Sequence, residues 1–353
     1  MGIRAFIAGC AGTALTPEER RFFVEAQPWG FILFRRNIGT PAEVAALTAE
    51  LRATVGRHAP ILIDQEGGRV QRMGPPHWPA YPAARRFLGI NDPVQRREIV
   101  RLSARLMAHD LRAVGVDVDC APVIDVPTAG AHDVIGDRAY AFDPAEAAIL
   151  GRAAAEGLLA GGVLPVIKHI PGHGRAGSDS HHALPVVEAS VAALDGHDFA
   201  PFRHLADMPI AMTAHVVYRA IDPKRPATIS RKVVREVIRE RIGFDGLLVT
   251  DDLSMKALSG SFAQKTKAAL RAGCDLVLHC HGILAEMEEV AGAAPLLRGK
   301  PARRAEAALA RLRHEPEPLD IGEARARVAE ALGRAAAQAG ADPTAYRNLA
   351  ARG

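Results

Sequence analysis

The chain is poor in the features that mark secreted, membrane-bound or nucleic-acid-binding proteins. It has four cysteines, Cys10, Cys120, Cys274 and Cys280, widely spaced and without a CxxC pair. That pattern argues against a disulfide framework and suits a reducing compartment. Cys10, Cys120 and Cys274 sit in or beside apolar runs, where a small buried thiol is the simplest reading. No apolar run reaches the length of a transmembrane helix. The first residues, MGIRAFIAGCAG, lack a long hydrophobic region followed by a cleavage site, so no signal peptide is expected. Gly2 is not followed by the serine or threonine that a myristoylation signal needs. These absences point to a cytoplasmic protein with no membrane partner. Charge of one sign is also missing: 44 Lys and Arg face 40 Asp and Glu, a net charge of +4 over 353 residues. A dedicated nucleic-acid binder would carry a basic stripe. The Arg-rich stretch 303–313 instead alternates with Ala and Leu, as on a solvated helix face. There is no internal repeat and no low-complexity tract.

What is present is an ordinary globular composition, 48% hydrophobic and 24% charged, with a regular alternation of two patterns. Short apolar runs bounded by turn residues occur at 3–8, 30–34, 61–64, 117–122, 163–169, 210–215, 247–251 and 275–279. Amphipathic helical patterns lie between most of them, at 17–27, 41–55, 94–114, 144–160, 190–205, 230–242 and 261–272. Several open on Pro or Ser, as helix N-termini prefer. Strands alternating with helices imply a parallel sheet, and eight strands favour a closed barrel over an open doubly wound sheet. The predicted fold is α/β, a (β/α)8 TIM-type barrel with additional C-terminal helices. The length allows two or three domains, but a barrel of about 250 residues with extensions fits equally. The division expected is a catalytic barrel over 1–300 and a helical extension over 301–353 packing on it. That extension has helices at 301–313 and 321–337 and a loosely held tail from 340.

The polar residues concentrate where such a barrel works. Asp64, Asp125, Lys168, His169, His215 and Asp251 all fall at or just past the ends of strand candidates, the rim on which barrel enzymes place catalytic groups. Residues 61–73, ILIDQEGGRVQRM, end a strand on Asp64, which can accept hydrogen bonds from vicinal hydroxyls while Arg72 pairs with it or with a ligand. The bland reading is a structural salt bridge. In DVIGDRAY, 133–140, the planar fork of Arg138 suits a carboxylate or a polar sugar substituent, though it is equally read as a surface arginine. In LLVTDDLSM, 247–255, Asp251 and Asp252 cannot both point into a site from extended backbone. Asp251 is the candidate nucleophile, and Asp252 caps the turn into LSMKAL, which reads as a helical start. His215, in AMTAHVVY, either lines the pocket or is a satisfied core histidine.

The densest stretch is 168–185, KHIPGHGRAGSDSHHALP. Its glycines, prolines and four histidines read as a mobile loop carrying titratable groups. Gly172 to Gly177 matches GxGxxG, yet it runs into SDSHHALP and opens no helix, so the dinucleotide fingerprint fails. His169, His173, His181 and His182 raise the question of a metal, but these four form no HxH or HExxH set. The simpler reading is Asp179-Ser180-His181. Residues i and i+2 of extended chain share a side, so Asp179 orients the imidazole and leaves its other nitrogen for proton transfer. His173 and His182 are then supporting or structural.

Taken together, DQEGGRVQRM, KHIPGHGRAGSDSHHALP, TAHVVY and GFDGLLVTDDLSM resemble the bacterial β-N-acetylhexosaminidases of glycoside hydrolase family three, over roughly residues 3 to 280. The resemblance implies a barrel that removes terminal N-acetylglucosamine from cell-wall fragments during cytoplasmic peptidoglycan recycling. It implies no metal or organic cofactor. By position it makes Asp251 the nucleophile, His181 the general acid/base and Asp179 its orienting partner. Asp64, Arg72, Arg138, Lys168 and His169 become the residues that hold the non-reducing sugar. Thr250 stands where many relatives have Ser, and Arg175 where they have an acidic or small residue. The expected partner is a small carbohydrate, with no nucleic acid, and the protein is expected to be a monomer. Two other enzyme readings are a β-glucosidase or β-xylosidase of the same family and a metal-dependent barrel hydrolase using the histidines. A catalytically dead barrel that binds wall fragments is the non-enzyme reading.

Overall fold

Along each strand the side chains alternate between two cores, as the two-residue period of extended chain requires. Ile7, Leu62, Val166, Val249 and Leu276 turn into one buried cluster. Their neighbours Phe6, Ile61, Ile167, Leu248 and Val277 turn into another. The first cluster fills the inside of a barrel and the second lies under a ring of helices. In the computed structural model, which describes residues 2–177 and 184–341, eight parallel strands close this barrel. They are β1 (Arg4–Ala8), β2 (Pro28–Leu33), β3 (Ile61–Ile63), β4 (Val118–Asp119), β5 (Leu164–Ile170), β6 (Ile210–Thr213), β7 (Leu247–Asp252) and β8 (Leu276–His279). They follow one another around the barrel in chain order, and β8 pairs with β1 to close it. This is the (β/α)8 arrangement expected from the sequence, and all eight strand candidates overlap their strand.

The helices start where local chemistry dictates. Thr16 and Glu19 form a capping box on α1 (Pro17–Ala26), Thr40 and Glu43 form one on α2 (Pro41–Val55), and Pro occupies the first position of both. Asp92 caps α3 (Pro93–Ala113) and Asp143 caps α4 (Pro144–Ala160). Two short helices, α5 (Val191–Gly196) and α6 (Ala200–His204), follow β5. The segment after β6 is wound as a π-helix over Val233–Arg241, a departure from the ordinary helix its periodicity suggests. Ser261 and Gln264 box the start of α7 (Phe262–Ala272). The LSMKAL segment ahead of it is turn, which corrects the expectation of a helical start there. The helix after β8, α8 (Leu284–Ala293), was not among the clear sequence patterns.

Two further helices follow. Ala305 and Ala308 of α9 (Gly299–Ala310) join the cluster inside the barrel together with Trp29, so α9 closes its N-terminal floor. α10 (Ile321–Ala341) buries Ala324, Val328, Ala331 and Ala335. It reaches α3 through an Arg325–Asp110 ion pair of 3.1 Å.

The strand ends at the opposite mouth are irregular where the polar residues emerge. Register shifts fall between Lys168 and Ile170 of β5 and between Val249 and Asp252 of β7. Such irregularities re-aim side chains beside functional sites. After β3 a small hairpin, Gln65–Gly67 with Val70–Gln71, folds over the same mouth.

Candidate active site

Burying a carboxylate is costly unless cations and hydrogen bonds meet it, and the mouth of the barrel is built around that condition. Asp64, just past β3, accepts Lys168 Nζ at 2.8 Å and Arg72 Nη2 at 3.0 Å. Glu66, on the hairpin, takes the same Lys168 Nζ at 2.7 Å. It also takes two nitrogens of Arg138, at 2.8 and 2.9 Å. Lys168 is 3% exposed and Glu66 5% at the side chain, so these are buried pairs. Burial alone would raise the Glu66 carboxyl, but Lys168 and Arg138 hold it down at about 2. Asp64 is likewise held below its ordinary value against burial, by Lys168 and Arg72. Burial would lower Lys168, and the two carboxylates outweigh it and raise it. With three cations against two carboxylates, the group carries a net charge of +1.

A second group organises the end of β5. Asp125, fully buried beyond β4, accepts the backbone N–H of His173 at 2.7 Å and pairs with the His169 ring Nδ1 at 2.7 Å. Burial would raise the Asp125 carboxyl; His169 beside it lowers it instead. His173 is pushed down to about 4 by burial and by His169, so it is neutral at pH 7.

Asp251, next to last in β7, faces the cavity. Its Oδ1 accepts the Asp252 N–H at 2.8 Å. Burial pushes its carboxyl up, but His215, His169, the Asp252 N–H and Lys168 together hold it below the usual carboxylate range. It is therefore ionised at neutral pH. Asp252 is committed elsewhere: it accepts Ser254 N–H at 3.0 Å and Cys280 N–H at 3.2 Å. It caps the turn, as the sequence suggested. His215 is the satisfied histidine of the two readings. Nδ1 meets Thr228 Oγ1 at 2.7 Å and Nε2 the Asp252 carbonyl at 3.0 Å. Thr250 spends its hydroxyl on the Leu278 N–H at 2.9 Å, stitching β7 to β8. Arg175 is tied to Asp198 at 2.6 Å.

These groups surround one cavity of about 720 Å³, counting its open mouth. Asp64, Arg72, Arg138, Lys168, His169 and Asp251 all line it, so the structure brings together six of the eight residues singled out from sequence. Asp179 and His181 lie outside the described residues. Phe34, Val134, Met255 and Leu278 give the cavity apolar walls, and the Arg72 guanidinium lies 4.9 Å from the Phe34 ring centroid. Arg72 Nε is buried and has no hydrogen-bond partner among the described residues. Glu66 was missed in the sequence reading. The available signal was its place two residues after Asp64, the spacing that returns an extended chain to the same side. The planar fork of Arg138 meets a carboxylate, that of Glu66.

A closed (β/α)8 barrel with an ionised strand-end aspartate facing a polar, partly apolar cavity is the architecture of a barrel glycosidase. The chain belongs to glycosyl hydrolase family 3: the model of that family's N-terminal domain matches residues 13–313. It is a glycoside hydrolase. A β-hexosaminidase of Alkalilimnicola ehrlichii is 42% identical over 281 residues, 77% of this chain and 79% of that one. One from Thiobacillus denitrificans is 39% identical over 356 residues, 95% of this chain and 96% of that one. NagZ from Neisseria gonorrhoeae, solved in complex with N-trifluoroacetyl-D-glucosamine, superposes with a TM-score of 0.84 at 31% identity, covering 94% of this chain and 99% of that one.

Proposed function

We propose that this protein is a retaining exo-β-N-acetylglucosaminidase that cleaves terminal N-acetylglucosamine from anhydro-muropeptide fragments of the cell wall. Asp251 is the nucleophile, and His181, oriented by Asp179, is the acid/base. The observation that carries the reading is the ionised Asp251 set opposite a buried lattice of charged groups in one cavity. Charged groups with spare lone pairs and N–H donors suit the hydroxyls of a sugar ring. Asp64, Arg72, Arg138, Lys168 and His169 hold the terminal sugar, with Glu66 fixing Lys168 and Arg138 in place. The names of the relatives and the N-acyl glucosamine bound by the gonococcal neighbour support N-acetylglucosamine as that sugar.

In the first step an Asp251 oxygen attacks the anomeric carbon. The bond to the leaving oxygen breaks as the His181 imidazolium gives that oxygen its proton. Neutral His181 then takes a proton from water, whose oxygen displaces Asp251 and releases the sugar with its original configuration. A neutral base also leaves room for phosphate as an acceptor. Peptidoglycan recycling in the cytoplasm, a monomeric state and a catalytic barrel over 1–300 with a helical extension over 301–353 belong to the same reading. The test is hydrolysis of an aryl N-acetyl-β-glucosaminide by wild type and Asp251→Ala, with products from an N-acetylglucosaminyl-anhydromuramic fragment analysed with and without phosphate. Undiminished turnover by Asp251→Ala would sink the assignment.

A further inference from the structure

On the same rim, outside the cavity's polar lattice, β8 runs out through His279-Cys280-His281 into α8. This HxH pattern lies apart from the loop histidines in the sequence. Glu286, in the first turn of α8, reaches back to both rings. Its Oε2 lies 2.8 Å from His279 Nε2 and 3.2 Å from His281 Nδ1. One ligand atom from each of the three residues falls within 4.8 Å of the others. Two imidazole nitrogens and a carboxylate oxygen form a ligand set that zinc-type ions favour. In a tetrahedral zinc site with bonds of about 2.0–2.2 Å, neighbouring donor atoms sit about 3.3 Å apart. Two of the separations here are already close to that.

The surroundings distinguish this group from a structural histidine. His215 uses both ring nitrogens inside the protein. His279 is fully buried, yet only Nε2 has a partner, and Nδ1 meets none among the described residues. The Phe262 ring stands edge-on to His279 at 5.1 Å and fixes its plane. Exposure then rises across the group, from 0% for His279 to 25% for Glu286 and 48% for His281. The site thus has a dry back and an open front where water can take the remaining position. The nearby cation, Lys265, is held away by its bond to the Leu253 carbonyl at 2.9 Å.

We propose that His279, His281 and Glu286 form a binding site for one divalent zinc-type ion, separate from the sugar site. Neither His281 nor Glu286 lines the catalytic cavity. Cys280, between the two histidines, is bonded through its N–H to Asp252, next to Asp251. An ion here therefore braces the β7–β8 rim without entering the chemistry.

The test uses the full chain stripped with chelator and titrated with cobalt(II) chloride, then with zinc chloride. Wild type is expected to bind cobalt with a tetrahedral ligand-field band that zinc displaces, and zinc is expected to raise its melting temperature. His281→Ala and Glu286→Gln should each weaken cobalt binding by more than about tenfold, since even partners outside the ligand sphere are worth 10–100-fold. Both variants should keep their metal-free hydrolysis rate, and zinc should no longer raise their melting temperature. A wild type without the band, or variants that bind cobalt as tightly as wild type, would overturn the proposal. In the second case the ion sits on other residues.

Discussion

A carboxylate that is to attack carbon must stay ionised in a place largely emptied of water. Asp251 meets this condition through neighbours rather than exposure: His215, His169, a backbone N–H and Lys168 together outweigh the burial penalty. Its carboxyl is held below the ordinary aspartate value, so protonation of Asp251 should not shape the acid limb of kcat/KM within the usual carboxylate range. Replacing it with alanine should lower kcat by roughly 10³-fold or more while leaving the melting temperature nearly unchanged. Glu66 acts differently, since it touches cations and not reacting atoms. Its removal leaves Lys168 and Arg138 buried with fewer partners. Glu66→Ala should therefore cost about 3–5 kcal/mol of stability and raise KM, measured by denaturant unfolding and steady-state kinetics.

The same residues fix how stability depends on acid. His173 has its pKa lowered from 6.5 to about 4, so the unfolded chain binds a proton the folded one refuses. Its contribution is complete above pH 6.5 and is lost as pH falls towards 4, on the order of 3 kcal/mol in all. The Glu66 contribution is complete above 4.5 and is lost as pH falls towards 2. Denaturant unfolding followed from pH 7 downwards should show an early decline that His173→Phe flattens, ahead of the carboxylate decline.

At the scale of elements, the segment that follows β5 is seated by close packing at Gly172 and Gly174. A Cβ at Gly174 would stand 2.0 Å from the Val126 carbonyl, so only glycine fits there. Gly174→Ala should displace the chain that leads to Asp179 and His181, lowering kcat at least tenfold and stability by about 1–3 kcal/mol, by aryl glycoside assay and thermal melts. Of the glycines that imitate a nucleotide fingerprint, Gly174 is thus there for contact with the β4–α4 loop, and Gly172 stands against Asp198. Much at this scale was legible in the sequence, because strand period, Pro and capping boxes are local signals. The strand ends at Asp64, Lys168 and Asp251 could be read for the same reason. What escaped depends on contacts between distant segments. Glu66 gains its meaning only when Arg138 arrives from the loop after β4 and Lys168 from β5. The HxH of His279 and His281 needs Glu286 from the next helix. The π-winding of 233–241 has no separate mark in an amphipathic pattern.

At the scale of the molecule, the barrel separates support from chemistry. α9 plugs the floor with small residues, and α10 braces α3 through Arg325 and Asp110. All six described site residues look into the other end, where loops from four strands meet. A barrel so divided can change its rim without losing its core, which is why family membership defines the chemistry more firmly than the leaving group. The central claim is that Asp251 carries the sugar through a covalent intermediate. Its most direct test is peptide mass mapping of the wild-type protein after incubation with a fluorinated N-acetyl-β-glucosaminide whose glycosyl-enzyme turns over slowly. One sugar adduct on the peptide containing Asp251, at that residue, is the predicted result. An adduct on Asp64, Glu66 or Asp252 instead would contradict the account, as would turnover with an unlabelled protein and an inverted first product.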